Sequence, residues 1–422
     1  MASTETRNGD EEQIEQGERP PHAATPVRRH PASERIEFVA PGPAVWETWQ
    51  QLERALPTVS VFQSALWTRT WVEHYGDAVS TRASLFHAGG AVRGVALVTE
   101  SQQQREGPFS IRTLHLGTAG ESPADSVCVE FNGPLAAPEH RAAFSARLRE
   151  RIDAIPGWDR LNLDGVPADD FELLRGADAG WESRLVPSRY FDLAQCRASG
   201  KLVLEELPRN RRGDIRRKLK QLSDVQLDWL EGAEASVEAF DELVALHQGR
   251  WESVGKPGVF SQRRFCAFHR TFLTRAAGRQ SAALVRVRDG KTTLGVIYGL
   301  LEPRRFLVYQ CGFNRELWSL GPGMISHALA MQAALERGYD EYDFLAGEQN
   351  YKRHLSNAAR ELVWAALPRD RYVFHLMKYV RQIKRSVAAF LRKPARSMAE
   401  TLANEDSGVF SRSAGERTSQ KG

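Results

Sequence analysis

Two stretches of this chain carry the same order of predicted elements, and this internal correspondence constrains the fold more than any single motif. Each stretch is predicted to form a hairpin, a third strand, a helix and a closing strand, with the hairpin turns at Gly89-Gly90 and Asp289-Gly290. The closing strands begin alike, with Gly157-Trp158-Asp159 in one stretch and Gly338-Tyr339-Asp340 in the other. Strands that alternate with helices in this way predict a mixed α/β (α+β) fold built from two similar units. A chance match between two α/β segments is the alternative.

Apolar periodicity places the predicted elements along the chain. In the first stretch we predict helices at Trp46–Leu56, Ala65–Tyr75 and Pro138–Ala154, and strands at Thr81–His87, Val92–Thr99, Ile111–Leu116, Ser126–Phe131 and Arg160–Leu163. In the second stretch we predict strands at Ser281–Arg288, Thr292–Leu301, Arg305–Cys311 and Glu341–Leu345, and a helix at Pro322–Arg337. Gly157 and Gly338, before the closing strands, lie 181 residues apart. Gly94 and Gly295, in the second hairpin strands, lie 201 residues apart. The difference places an insertion of about 20 residues in the first stretch.

Length and residue types set further limits. At about 150 residues per domain, a chain of 422 residues suggests two or three domains. We predict a disordered tail over residues 1–35, an N-terminal domain over 36–190, a C-terminal domain over 191–368, a basic amphipathic helix over 369–396 and a second disordered tail over 397–422. The four cysteines are far apart and the 11 histidines are scattered, so we predict neither a disulfide framework nor a metal site. Apolar runs stay under half of the roughly 20 residues that cross a bilayer, which predicts a soluble, cytoplasmic protein.

The formal net charge of +4 is unevenly distributed. Residues 209–220 contain seven basic residues and one acid, and residues 371–396 contain eight basic residues and no acid. Both segments have helical spacing of apolar residues. The first segment either forms a solvated helix face or contacts a substrate, which would be a group donor or an anionic acceptor. For the second we favour packing of its apolar stripe on the second domain, with peripheral contact to an anionic membrane surface as the alternative.

The strongest local motif opens the predicted helix at Pro322. Gly321-Pro322-Gly323 places proline at the first helical position and glycines where a backbone can approach a ligand closely. The free N–H groups and the positive dipole end of such a helix bind anions, so a phosphate or pyrophosphate would bind there without a lysine. Ser326 stands at the last position of a partial G-x-G-x-x-G pattern. An ordinary capped helix is the alternative.

Two further clusters supply candidate site residues. The apolar strand ending at Leu345 is followed by a dense polar group that contains Glu348, Tyr351, Lys352, Arg353 and His354. Such side chains transfer protons or hold a substrate, and a solvated turn is the alternative. A helix that begins near Ser236 ends in the second cluster, which contains His247, Arg250, Trp251 and Lys256. Trp251 would line a substrate groove with Phe260, Phe265 and Phe268, although such aromatic residues more often belong to the core.

Together these segments resemble the GNAT N-acetyltransferase fold, and in particular the CelD/BcsL-type acyltransferases, which are associated with cellulose biosynthesis and related to the Fem peptidoglycan aminoacyltransferases. The resemblance rests on residues 209–222, 250–257, 309–314, 319–324 and 343–352. It implies tandem GNAT-like domains, each a mixed, mainly antiparallel sheet flanked by helices. Leu320 to Met324 depart from the pyrophosphate-binding pattern of ordinary GNAT proteins. Coenzyme A and aminoacyl-tRNA therefore remain alternative donors.

The resemblance also implies roles for individual residues. Acetyl-CoA or another acyl-CoA would be the co-substrate, bound by Gln310, Gly312, Gly321, Gly323 and Met324. The catalytic candidates are Glu348 as the first choice of base, His247 as the second, and Tyr351 as the acid that protonates the leaving thiolate. The acceptor would be held by Arg250, Trp251, Lys256, Lys352 and Arg353.

The predicted function is acyl transfer to a saccharide or to a cell-envelope or exopolysaccharide precursor. Two alternatives remain open. One is Fem-like aminoacyl transfer, in which tRNA would be the single nucleic-acid partner. The other is a non-catalytic scaffold of a polysaccharide assembly.

Overall fold

The structure is a computed structural model that describes residues 34–101, 104–380, 382–384 and 386–387. The predicted tail over residues 1–35 lies outside this range except for its last two residues, and the predicted tail over 397–422 lies wholly outside it. The basic segment 369–396 is described in part, and its residues 372–380 are helical. In the described residues no helix is both long and apolar enough to cross a membrane.

The predicted elements occur in the same order, except the strand at Ser126–Phe131, and the structure adds strands that were not predicted at Arg35–Val39, Glu182–Asp192, Val225–Leu230 and Ala358–Pro368. The strands are β1 (Arg35–Val39), β2 (Ser80–Ala88), β3 (Ala91–Ser101), β4 (Arg105–Glu106), β5 (Phe109–Ser110), β6 (Thr113–Leu116), β7 (Leu135–Ala136), β8 (Arg160–Pro167), β9 (Glu182–Asp192), β10 (Val225–Leu230), β11 (Ala282–Asp289), β12 (Thr292–Glu302), β13 (Arg305–Phe313), β14 (Glu341–Ala346) and β15 (Ala358–Pro368). The helices are α1 (Pro43–Ala55), α2 (Ala65–Tyr75), α3 (Pro138–Asp153), α4 (Ala168–Arg175), α5 (Leu193–Ala198), α6 (Val203–Glu206), α7 (Arg209–Leu219), α8 (Ala233–Glu252), α9 (Arg263–Ala276), α10 (Pro322–Glu336) and α11 (Asn350–Leu355).

One long sheet runs through both halves of the molecule. Its strand order is β1-β2-β3-β6-β8-β15-β9-β14-β13-β12-β11-β10, with β7 paired to β3 beside this path. The first half, β1 to β8, and the second half, β10 to β14, have the same plan, an antiparallel meander followed by a parallel pair. The parallel pairs are β6 with β8 and β13 with β14. The predicted double plan is therefore confirmed, and the sheet is mixed and mostly antiparallel.

The halves exchange strands at the centre of the sheet. The strand that follows the first half, β9, pairs with β14 of the second half. The last strand, β15, returns from the second half and pairs with both β8 and β9. Since β9 follows the first half but pairs with the second, and β15 follows the second half but pairs with the first, the domain boundaries at 36–190 and 191–368 stay a prediction.

Helices cover both faces of the sheet. Alternate residues of β3 enter different apolar clusters, because successive side chains of a strand point to opposite faces. On one face α1 and α2 meet α8 and α9 in a cluster that both halves share. On the other face each half has a cluster of its own, with α3 in the first and α10 in the second. Phe260, Phe265 and Phe268 are buried in the shared cluster, so they are core residues and not the lining of a groove.

The predicted strand at Ser126–Phe131 is wrong. These residues lie in an irregular segment, Gly117 to Pro134, in which Cys128 and Phe131 have φ values of 48° and 49°. The reason is that the carboxylate of Glu121, and not a neighbouring strand, accepts the N–H of Val127 at 2.9 Å. The segment lies between β3 and α3, where the predicted insertion falls. It reaches the second half through the hydroxyl of Tyr309, which donates to the carbonyl of Val127.

The expected packing of the basic segment 371–396 on the second domain is wrong for its described part. The ring of Phe374 lies 5.1 Å from the guanidinium of Arg160, and Met377 lies against Gly107, both in the first half. The cause is β15, whose end pairs Pro368 with Arg160 and so delivers the chain to the first half. Most of the region beyond residue 380, including much of the proposed membrane contact, lies outside the described residues.

Candidate active site

The sheet opens where β13 and β14 separate. The two strands pair only over Arg305–Leu307 and Glu341–Asp343, and β14 then continues along β9. The register between β12 and β13 also shifts at Tyr298 and Gly299, which leaves Tyr309 as an extra residue in β13. The extra residue of such a bulge has no cross-strand partner, so its backbone N–H is a candidate donor at this point. Donors placed where an oxyanion develops stabilise the transition state of acyl transfer.

The beginning of α10 lies beside the end of β13, since a β-carbon built on Gly323 would be 3.2 Å from the ring of Phe313. Gly321 is the N-cap in a left-handed conformation, with φ 63° and ψ 55°, and Pro322 occupies the first turn. The carbonyl of Gly321 accepts the N–H groups of Met324 and Ile325 at 3.0 and 3.2 Å. The N–H of Gly323 has no helical carbonyl four residues before it, as in every first helical turn. This helix end therefore has the polarity that favours an anion, and we call it the cradle (residues 321–324).

A lysine from α7 lies at the cradle. A β-carbon built on Gly321 would be 2.7 Å from Nζ of Lys218, so the ammonium group occupies the space beside this glycine. Asp214 holds the same ammonium at 3.2 Å. The sequence did not predict this lysine. A cation and free N–H groups at one helix end fit a pyrophosphate well.

The other residues predicted to bind the co-substrate lie close to the cradle and the bulge. Gln310 follows the bulge residue Tyr309 directly, Gly312 lies two positions further on, and they pair with Tyr298 and Val296 of β12. Gly312 also allows α8 to pack closely on β13, because a β-carbon at this position would lie 2.7 Å from the carbonyl oxygen of Leu243. Met324 is half-buried and packs on the cluster of the second half. Their roles toward a donor stay predictions.

Tyr351 lies at the same opening, stacked on a buried histidine. Its ring is 5.4 Å from that of His327, with an angle of 13° between the planes. Burial lowers the pKa of His327 to about 3, so this imidazole is neutral, and its Nδ1 lies 3.0 Å from the hydroxyl of Tyr342. Burial raises the pKa of Tyr351, against a smaller opposite effect of Arg250. Tyr351 therefore keeps its proton at neutral pH, and its raised pKa makes it a weaker acid than an exposed tyrosine.

The predicted neighbours Arg250, Trp251 and Lys256 do lie together. The guanidinium of Arg250 is 6.0 Å from the ring of Trp251 and 5.9 Å from that of Trp318, in the turn before α10. Lys256 places its Nζ 5.8 Å from the Trp251 ring. Two cations thus flank one indole beside the cradle, an arrangement that suits an anionic acceptor. That role stays a prediction.

His247 is bonded through both ring nitrogens. Its Nε2 accepts the indole N–H of Trp251 at 2.9 Å, and its Nδ1 lies 3.2 Å from the amide oxygen of Gln248. Burial lowers the pKa of His247, although the bond to Gln248 acts in the opposite direction. A neutral ring that accepts at Nε2 carries its proton on Nδ1. In this structure His247 orients Trp251, and its role as a second base stays a prediction.

Glu348 and Arg353 lie at the surface near Tyr351. Their side chains are 65% and 52% exposed and form an ion pair of 3.5 Å. An exposed pair of this kind is weak, so both groups are free to change partners when a substrate binds. The assignments of Glu348 as base and Arg353 as an acceptor contact remain predictions.

Lys352 differs from its neighbours because it is buried. Its Nζ donates to the carbonyls of Leu345 and Ala346 at 3.1 and 2.7 Å, and so ties α11 to the end of β14. Burial lowers the pKa of Lys352, while the carboxylates of Glu130 and Asp343 raise it. The ammonium is bonded to protein groups in this structure, and its predicted contact with an acceptor is not tested.

Glu130 is a buried carboxyl group beside Lys352 that the sequence did not reveal. It belongs to the irregular segment of the first half, and its Oε2 accepts the N–H of Ala346 at 2.7 Å. Burial raises the pKa of Glu130 to about 7, assisted by Asp343 and opposed by Lys352. A carboxyl group that titrates near neutrality beside a buried lysine is typical of functional sites. The signal in the sequence was one acid within the apolar run Val127 to Phe131, which gave no indication of its partner.

Within the described residues, no group of three or more His, Cys, Asp or Glu side chains is placed to hold a metal ion. The candidate site consists of the cradle with Lys218, the bulge at Tyr309, and the side chains of Tyr351, Arg250 and Trp251.

The comparisons with known proteins agree with this geometry. Residues 209–353, about a third of the chain, match the family model described as an acetyltransferase (GNAT) domain. This segment contains the cradle, Lys218 and the separating strands. Among solved structures, the crystal structure of FemX matches over 81% of this chain and 99% of its own, with a TM-score of 0.54 and 12% identity.

A second solved structure is the C-terminal domain of a putative lysylphosphatidylglycerol synthetase from Agrobacterium fabrum. It matches over 80% of this chain and 95% of its own, with a TM-score of 0.50 and 11% identity. The comparison with curated proteins found no match. At such identities the structural likeness shows a shared fold and leaves the substrate open.

The fold is GNAT-like, and the matched domain makes the chain an acyl-transfer enzyme. This conclusion argues against the non-catalytic scaffold. Residues 209–353 are thus similar to a GNAT acetyltransferase domain, and the fold as a whole is similar to that of FemX.

Proposed function

We propose that this enzyme transfers an acyl group, in the first instance acetyl from acetyl-CoA, to an amine or hydroxyl of a saccharide or of a cell-envelope or exopolysaccharide precursor, as a CelD/BcsL-type acyltransferase. The observation that carries the proposal is the position of Lys218 beside Gly321 at the start of α10. Coenzyme A would supply a pyrophosphate for this cradle and a thioester for the opening between β13 and β14. Gly323 and Met324 would complete the cradle, and Gln310 and Gly312 would border the thioester.

In the proposed reaction a bond forms between the acceptor atom and the acyl carbon, and the carbon–sulfur bond breaks. The acceptor gives its proton to Glu348, with His247 as the second candidate. The leaving sulfur takes the proton of Tyr351, which the raised pKa of this tyrosine keeps in place. Arg250, Trp251 and Lys256 hold the acceptor from α8 and the following turn, and Lys352 and Arg353 do so from α11.

Aminoacyl transfer from tRNA is the second candidate function. The observation that favours it is the surface of α7, where Arg209, Arg216 and Lys220 are exposed on the helix that carries Lys218. Exposed basic side chains bind a phosphate backbone, and such binding weakens steeply with added salt. In either case we propose a cytoplasmic enzyme. For an envelope acceptor, we also propose peripheral membrane contact through residues 371–396.

Calorimetric titration with acetyl-CoA tests the donor. We expect the wild type to bind it and Lys218→Gln to bind it about tenfold more weakly, because a hydrogen bond to a charged group contributes roughly 1.5–3 kcal/mol. Lys220→Gln is the matched control, since Lys220 is exposed at the end of the same helix and should leave the affinity unchanged. Absence of acetyl-CoA binding by the wild type, together with retention of aminoacyl-tRNA on filters, would favour the second candidate.

The base assignment is tested by Glu348→Gln. We expect the rate of acyl transfer to fall by roughly 10²-fold or more with little change in acetyl-CoA affinity, since a positioned base contributes about 10²–10⁴-fold. Glu316→Gln, which removes another exposed carboxylate near the cradle, is the control. A Glu348→Gln enzyme that works at the wild-type rate would require another base.

A further inference from the structure

A large cavity lies at the opposite end of α10 from the cradle. Its volume is about 1060 Å³, and it is lined by parts of α1, α2 and α9, by the turn between β12 and β13, and by residues 337–339 after α10. The 15 residues of α10 span roughly 22 Å at 1.5 Å per residue. The cavity is therefore separated from the cradle by about the length of this helix.

Arginine dominates the charged lining of this cavity. Two glutamates, Glu53 and Glu302, face six arginines, which are Arg54, Arg69, Arg275, Arg279, Arg304 and Arg337. We call it the arginine cavity. Because cations outnumber carboxylates in a concave space with low-dielectric walls, the field there favours an anionic ligand.

Several of these arginines have protein partners and others do not. Arg69 and Arg275 share one carboxylate, Glu73, at 3.0 and 2.6 Å. Arg304 is paired with Asp340. Arg54 and Arg279 are exposed, and within the part of the chain that the structure describes their guanidinium groups form no hydrogen bond or ion pair. These two cations are therefore available to a ligand.

The two lining carboxyls are bonded to the backbone of one loop. Glu53 accepts the N–H of Ala65 at 3.0 Å, and Glu302 accepts the N–H of Val61 at 3.0 Å. Burial raises the pKa of both carboxyls, against opposing effects of these hydrogen bonds and of nearby arginines. They hold the loop between α1 and α2, and they do not form ion pairs with Arg54 or Arg279.

The remaining lining indicates the size and character of the ligand. Apolar side chains form a wall that consists of Leu56, Pro57, Val59, Val61, Leu301 and Pro303. A volume at the upper end of the usual range for small-molecule sites is too large for inorganic phosphate alone. An organic body on the apolar wall with anionic groups at the arginines fits both features.

We propose that the arginine cavity is a second ligand site, which binds a small organic polyanion that carries phosphate or carboxylate groups. Arg54 and Arg279 bind the anionic groups, because guanidinium forks bind phosphate and carboxylate through paired hydrogen bonds. Neither the cradle nor Tyr351 contributes to this site, so it is independent of the donor and of the proposed acyl transfer.

Calorimetric titrations of the full chain with inorganic pyrophosphate and, separately, with citrate test this site. We expect Arg54→Gln combined with Arg279→Gln to weaken binding of the preferred probe at least tenfold. Arg93→Gln combined with Arg263→Gln is the matched control, because it removes the same charge from exposed positions outside the cavity. Lys218→Gln should leave this binding unchanged, which separates it from pyrophosphate bound at the cradle.

An increase in affinity for the probe provides a second test, because a misfolded variant would not bind the probe more tightly. Glu53→Gln removes a negative charge beside Arg54 and Arg279 while its amide oxygen still accepts the N–H of Ala65, so we expect severalfold tighter probe binding. Preference for pyrophosphate identifies a phosphate ligand, and preference for citrate identifies a polycarboxylate. The proposal is overturned if the wild type binds neither probe, or if the paired arginine variant binds as tightly as the wild type.

Discussion

Tyr351 and Lys352 are adjacent on α11 but lie in different environments. The tyrosine is 36% exposed at the opening of the sheet, whereas the lysine is 5% exposed. Lys352 is bonded to the carbonyls of Leu345 and Ala346, and Glu130 accepts the N–H of Ala346 from the other side of the same peptide. One peptide at the end of β14 therefore joins the lysine of the second half to the carboxyl of the first.

Glu130→Gln should reduce the pH dependence of stability. Burial gives the Glu130 carboxyl a pKa of about 7, against 4.5 when it is exposed. Over this interval the folded state retains a proton that the unfolded chain has released. The contribution of Glu130 to stability therefore falls as the pH rises from about 4.5 through about 7, by at most ~1.4 kcal/mol per unit.

Urea unfolding from roughly pH 5 to pH 8 measures this effect. Relative to the wild type, the Glu130→Gln protein should gain stability as the pH rises, since its amide oxygen accepts the N–H of Ala346 without a charge. Glu361→Gln, on the exposed side of β15, should follow the wild type. Parallel curves for the Glu130 variant and the wild type would contradict the assignment of a raised pKa.

At the scale of elements, the packing of α8 on β13 positions one wall of the site. Gly312 allows this close approach, because a β-carbon there would lie 2.7 Å from the carbonyl oxygen of Leu243 and 3.1 Å from the backbone N of His247. The last turn of α8 then carries Arg250 and Trp251 beside the cradle. The absence of a side chain at one strand position thus sets the distance between the proposed acceptor and donor sites.

Gly312→Ala should displace α8 and lower the free energy of unfolding by about 1–3 kcal/mol, since backbone atoms cannot move aside as a flexible side chain does. We also expect weaker acceptor binding, because Arg250 and Trp251 move with the helix. Gly249→Ala is the matched control: it lies in α8 with open space around its β-carbon and should be neutral or stabilising by up to about 1 kcal/mol. Denaturant unfolding checks both variants, and equal stability of Gly312→Ala and the wild type would refute the packing argument.

At the scale of the whole molecule, exchanged strands and a shared core unite the halves. β15 contributes Leu362 to the cluster that both halves share and Val363 to the cluster of the first half. On the shared face Trp67 contacts Phe268 and Phe272 at 4.9 and 5.1 Å between ring centroids. Because neither half completes its sheet without a strand next to the other, we expect cooperative unfolding.

Leu362→Ala should destabilise both halves together. This side chain is 1% exposed, and a Leu→Ala change at such a site costs about 2–5 kcal/mol. Hydrogen exchange of β3 and β12 is the measurement, and we expect protection to fall by similar amounts in these strands of opposite halves. Glu361→Ala is the control on the exposed face. Faster exchange in β3 alone would indicate that the halves unfold independently.

The amino-acid sequence by itself determined the order of most helices and strands, the double plan and the glycine-opened helix at Pro322, but it did not reveal β9 and β15, which join the halves. Apolar periodicity and turn residues act over a few positions, so they can be recognised in the sequence. Tertiary structure decided which distant residues meet: Lys218 with Gly321, and Glu130 with Ala346 and Lys352. It also turned the apolar run at 126–131 into a loop. Burial and charge act through space. Here they depend on the exchange of strands between the halves, and no local sequence pattern encodes that exchange.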